Sequence, residues 1–176
     1  MMKKILTAAS LVFAAFGASA ATYDWGSLNT QVDSQLAYVG AGPFSDVYLF
    51  SLGGTNNGVS SVVSLDLSSI FDISNGNYSL WVDSGTSGPS AGDTQIVSWN
   101  FDGTTGSASH SITLGAGNYY YVVSGSADGT GDGNGHAGIY SIATAVMPVP
   151  EPASAMLLLV GLGVAGLLRV APRRPR

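Results

Sequence analysis

The chain has 176 residues, no cysteine and a formal net charge of −5, from 6 Lys and Arg against 11 Asp and Glu. Its cations all lie near the two ends, as Lys3, Lys4, Arg169, Arg173, Arg174 and Arg176, so residues 21–147 hold Asp24, Asp33, Asp46, Asp66, Asp72, Asp83, Asp93, Asp102, Asp128 and Asp132 with no Lys or Arg. That balance argues against nucleic-acid binding, which needs Lys and Arg on phosphates, and the missing cysteine removes disulfides, thiol catalysis and thiolate metal sites.

In chain order, Lys3 and Lys4 open a positive segment, Ile5 to Phe16 is apolar, and Ala18-Ser19-Ala20 has the small-x-small pattern cut by signal peptidase. The pattern predicts a signal peptide over residues 1–20, with Ala21 as the mature start. Residues 21–147 are then exported and long enough for one domain with its own core. Ala21 to Ala41, with Tyr23, Trp25, Leu28, Val32, Leu36, Tyr38 and Val39, fits a first strand or a short helix. Beyond it a period of two predicts strands. Tyr48, Phe50 and Leu52 share one face; Val63, Leu65 and Leu67 share the next; Tyr78, Leu80 and Val82 follow, with Trp81 opposite them. Ile96 to Phe101, Ser109 to Leu114, a central Tyr119 to Ser124 and a closing Gly138 to Val146 complete the set. Gly53 to Gly58, Asn75-Gly76, Asp102-Gly103 and Gly115 to Gly117 read as turns. Seven or eight short strands without a helix predict an all-β antiparallel sandwich, jelly-roll-like in order.

Asp46, between Phe44 and Tyr48, is either a cation or sugar contact or a strand-entry carboxylate accepting backbone N–H bonds. Asp128, Asp132 and Asn134 are candidate Ca²⁺ ligands on a glycine-rich loop. Their spacing departs from the D-x-[DN]-x-[DN]-G pattern and no Glu closes the loop, so a hairpin loop is the competing reading. His110 and His136 need a further ligand to hold zinc. Trp25, Trp81 and Trp99 are either a sugar-stacking platform or packing residues. No G-x-S-x-G elbow marks a hydrolase nucleophile. The expectation is a protein without catalytic activity and without a cofactor other than Ca²⁺.

The last stretch is organised differently. Pro150-Glu151-Pro152 ends a linker over 148–152, Ala153 to Leu168 is apolar, and Arg169, Arg173, Arg174 and Arg176 follow. A snorkelling Arg169 extends the expected transmembrane helix to 153–170, still shorter than the roughly 20 residues of a comfortable span. The basic tail 171–176 stays cytoplasmic by the positive-inside rule. Gly161 to Gly166 spells G-x-G-x-x-G, but no strand precedes it and no acid follows, so helix packing through small residues explains it better than a nucleotide.

These tail residues resemble the PEP-CTERM sorting signal, whose parts stand here in order: Pro150, Glu151 and Pro152, the apolar segment and the arginine cluster. Databases of domains also label such tails as ice-binding-protein C-terminal domains, a label for the anchor and not for an activity. Phe44-Ser45-Asp46-Val47-Tyr48 is similar to the FxDxF motif of one PEP-CTERM group, with Tyr48 in place of the last Phe. The exported region also resembles, more loosely, the β-sandwich of pre-peptidase C-terminal domains. The resemblance implies handling by signal peptidase and then by an exosortase that recognises Pro150, Glu151 and Pro152, with transient residence in the inner membrane of a Gram-negative bacterium. It further implies a final place at the cell surface or in an extracellular polysaccharide matrix, as a structural or adhesive protein. A carbohydrate- or calcium-binding module is the alternative, ahead of a secreted hydrolase.

Overall fold

A computed structural model describes residues 19–67, 69–85, 87–103, 108–149, 160 and 162. Ala18, Pro150, Glu151, Pro152, Arg169, Arg173, Arg174 and Arg176 lie outside the described residues, as does almost all of the expected 153–170 helix. Among the described residues no helix is long and apolar enough to cross a membrane.

Among the described residues nine strands form two sheets: β1 (Thr22–Ser27), β2 (Val32–Val39), β3 (Gly42–Leu52), β4 (Asn56–Ser64), β5 (Ile73–Val82), β6 (Thr94–Asn100), β7 (His110–Leu114), β8 (Gly117–Ala127) and β9 (Gly138–Pro148). One sheet has the order β1-β3-β8-β5-β6 and the other β2-β9-β4-β7. The all-β expectation holds, and the aromatic β8 is the middle strand of its sheet. The sheets face each other across one apolar core, to which both contribute: Phe44, Tyr48, Tyr78 and Tyr121 from one, Tyr140 and Ile142 from the other.

Several expectations need correction. The count is nine strands because residues 21–41 make two. The chain breaks between them where Asn29 Oδ1 accepts the Gln31 N–H at 3.0 Å, a local turn that competes with a continuous strand. The sandwich is not wholly antiparallel, since β1 pairs parallel with β3. The intervening β2 crosses to the other sheet, so β3 returns in the direction of β1. This parallel edge pair and the five-plus-four division differ from the eight antiparallel strands of a jelly roll.

Asn56 to Gly58 is not a turn but the start of β4, paired on both sides with β7 and β9. The inward face of β4 is Asn56, Gly58, Ser60, Val62 and Ser64, and Leu65 and Leu67 are 45% and 46% exposed. Small inward residues there leave room for tyrosines from the facing sheet; the Tyr78 hydroxyl reaches the Ser60 carbonyl at 3.5 Å. Asn75-Gly76 is likewise a bulge within β5, where the register against β8 shifts between Ser74 and Asn77. Asn75 has φ 53°, and a Cβ on Gly76 would stand 2.5 Å from the Phe101 carbonyl oxygen, so only glycine fits beside that turn of chain.

Candidate functional site

Side chains of a strand alternate between its faces, and on β3 Phe44, Asp46, Tyr48, Phe50 and Leu52 share the buried inward one. This puts one carboxylate, 2% exposed, in the core between two aromatic rings. Its partners come from distant strands. The Tyr140 hydroxyl on β9 donates to Asp46 Oδ2 at 2.6 Å. That hydroxyl has spent its proton, so Tyr48 donates to it in turn, over 2.6 Å. The backbone N–H of Ala21, just before β1, donates to Asp46 Oδ1 at 2.8 Å. Both carboxylate oxygens are therefore engaged. Phe44 stacks on Tyr140 with 5.5 Å between centroids, and Tyr23 stacks on Tyr48 at 4.8 Å. Burial raises the Tyr140 hydroxyl far above the ordinary tyrosine range, with the neighbouring Tyr48 and Asp46 adding to it. Burial also raises Tyr48, and burial followed by the Asp46 charge raises Tyr23. The three sequence-motif residues thus form one polar cluster inside the sandwich, placed for holding sheets together and not for touching a ligand from solvent.

The Asp128–Gly135 loop is pinned to the chain before β5. Asp128 N–H donates to Asp72 O at 3.0 Å, Thr130 N–H to Ser69 O at 2.7 Å and Gly131 N–H to Ile70 O at 3.0 Å. Gly129 sits so close to this segment that a Cβ would lie 2.3 Å from Ile70 O and 2.4 Å from Ala137 O. The carboxylates expected to bind calcium accept hydrogen bonds from donors of the chain itself. Asp128 accepts from the hydroxyls of Ser126, at 2.7 Å, and of Ser74. Asp132 accepts from the Asn134 N–H at 2.8 Å and faces His136 Nδ1 at 3.1 Å. These bonds hold both acids below the usual carboxylate range, led by Ser74 for Asp128 and by His136 for Asp132. Asn134 serves Asp132 through its backbone and its side-chain amide. Among the described residues no three His, Asp or Glu side chains gather as a metal site.

The other candidates separate. His110 stacks on Trp99 at 4.7 Å, and His136 lies against Tyr38 at 5.2 Å. Trp25 and Trp99 pack inward on the core, whereas Trp81 lies parallel to Tyr120 on the outer face of the five-stranded sheet, 6.1 Å away. They make no common platform.

Two features had no local signal in the sequence. Asp93 caps the chain between β5 and β6: its carboxylate accepts from Ser84 N at 2.8 Å, Ser90 N at 2.6 Å and the Tyr120 hydroxyl at 3.0 Å. Led by the Ser84 N–H, those donors hold Asp93 well below the usual carboxylate range. A shallow open depression of about 290 Å³ lies beside β1, lined by Asp24, Ser27, Ser51, Asp83, Asn118 and Tyr119 among others.

Residues 148–174 match the PEP-CTERM protein-sorting motif, so the chain carries a sorting motif over the segment in which Pro150, Glu151 and Pro152 stand. The fold is similar to the pre-peptidase C-terminal domain of a collagenase from Bacillus anthracis, at 17% identity over 72% of this chain and 94% of that one, with a TM-score of 0.42. It is also similar to PliG from Aeromonas hydrophila, a periplasmic inhibitor of g-type lysozyme, at 11% identity over 74% of this chain and all of that one, with a TM-score of 0.45. No curated protein matches the chain.

Proposed function

We propose that this is an exported protein which an exosortase recognises at Pro150, Glu151 and Pro152, and whose β-sandwich is a non-catalytic structural or adhesive element of the cell surface or extracellular matrix. The match of residues 148–174 to the sorting motif carries the reading. A signal peptide ending at Ala20 supplies export, and the arginine cluster from Arg169 to Arg176 arrests the chain in the inner membrane until it is sorted. The surface favours an assembly role. β2 is an edge strand whose outer face presents Val32, Leu36 and Tyr38, at 67%, 50% and 52% exposure. Unpaired edges with apolar side chains are where chains associate. Fractionation of cells with and without the exosortase tests the sorting. The protein should reach the surface or medium only with the enzyme present; an identical distribution in both strains contradicts the proposal.

A second reading, a carbohydrate-binding module, draws support from the acidic depression beside β1, where Asp24, Asn118 and Tyr119 offer polar and aromatic contacts to a neutral sugar. Binding on a glycan array that Asp24→Ala abolishes supports this reading; an empty array removes it.

A further inference from the structure

We infer that Asp46 is a built-in receptor for the α-ammonium group that signal-peptide removal creates at Ala21. The inference rests on Ala18-Ser19-Ala20 being the cleavage site. Ala21 N stands 2.8 Å from Asp46 Oδ1, and Asp46 is 2% exposed. In the uncut chain that nitrogen is a neutral amide. Hydrolysis breaks the Ala20–Ala21 bond. The Ala20 carbonyl carbon takes the water oxygen and departs as a carboxylate, and the Ala21 nitrogen, taking protons from water, becomes an ammonium.

The new cation needs no rearrangement to reach its partner. Ala21 is held from its other side, because its carbonyl accepts the Val47 N–H at 2.8 Å. Cleavage also removes Ser19, which donates to Pro43 O at 3.2 Å and accepts from Ser45 N at 2.9 Å. Pro43 and Ser45 are exposed, so water replaces those two bonds. What changes in the interior is charge. Residues 21–147 contain ten Asp and no Lys or Arg, and the cation that maturation adds appears beside the most deeply buried of these carboxylates. A buried carboxylate is costly unless it is paired as well as hydrogen-bonded. Tyr140, Tyr48 and Tyr23, from β9, β3 and β1, are the titratable groups around it, and their hydroxyls bring no positive charge. The uncut precursor therefore lacks the cation that its own core is shaped to accept. Cleavage therefore adds a charge pair, after export, to a fold whose strands are already in place.

The sequence supplies a clean probe. Lys3 and Lys4 leave with the signal, so a chain starting at Ala21 has no lysine, and its α-amine is the single amine an acetylating reagent can reach. The full chain is purified from an exporting host, its N-terminus read by sequencing and intact mass, and its acetylation rate compared in the folded state and in urea across pH. A pair that raises the ammonium pKa by about one unit lowers the free amine about tenfold at neutral pH. Labelling of the folded protein should be slower by about that factor, with its pH profile displaced upward; simple steric shielding would scale the rate equally at every pH. Asp46→Asn should return the profile to that seen in urea, and protein acetylated in urea and refolded should melt below the unmodified protein. An Ala21 start with an unshifted profile and an unchanged Tm removes the ion pair and leaves the cleavage reading standing. A different mature N-terminus overturns both. If Asp46→Asn does not fold, the wild-type profile and the acetylated protein still decide.

Discussion

Asp46 shows how a single side chain is made tolerable in an apolar core. Its two oxygens accept from Ala21 and Tyr140, and Tyr48 completes the chain of hydroxyls. Removing the far end is mild: Tyr48→Phe, which restores the last Phe of the motif it resembles, should lose about 1 kcal/mol, since Tyr140 keeps its bond to Asp46. Tyr140→Phe strips a donor from the buried carboxylate itself and should cost more, about 2–3 kcal/mol. Urea titration of both variants checks the order, and equal losses would contradict it. Sequence alternation put Tyr48, Phe50 and Leu52 on one face, and the structure adds Phe44 and Asp46 to that face. It could not supply Tyr140, because hydrogen bonding between residues 94 apart leaves no local pattern.

At the scale of the elements, the legible parts were those where hydrophobicity and burial agree, such as β3 and the aromatic β8. β4 misled because its inward face is Gly58, Ser60, Val62 and Ser64, while the greasier Leu65 and Leu67 point outward beyond its end. The loop carboxylates already have donors from the chain: Asp128 accepts from Ser126 and Ser74, and Asp132 from Asn134, with His136 beside it. Neither EDTA nor Ca²⁺ should therefore move the melting temperature; a calcium-dependent rise would return Asp128, Asp132 and Asn134 to a metal role. The chain capped by Asp93 should show its own acid dependence. Its folded pKa is depressed, so its contribution is present above the unfolded value of about 3.9 and is lost as pH falls toward the folded value. Asp93→Asn should accordingly lose less stability than the wild type when pH is lowered from about 5 to about 2, measured by thermal melting.

Across the whole molecule, tyrosines line the sandwich between residues 21 and 147, which hold no Lys or Arg for salt bridges and no cysteine for disulfides. Burial raises Tyr48, Tyr120, Tyr121 and Tyr140, and pushes Tyr78 up to about 12. Groups raised in the fold stabilise it below their unfolded pKa of about 10 and withdraw that support as pH rises through the folded values. Absorbance at alkaline pH should show these phenols ionising together with unfolding. The proposal that the tail sorts this sandwich is tested most directly by the intact mass of the chain. In an exporting host that has the exosortase, wild-type protein should lose its C-terminal arginine cluster, whereas a variant with alanine at Pro150, Glu151 and Pro152 should keep it and stay in the membrane. Equal masses and equal distribution of the two proteins would contradict the account.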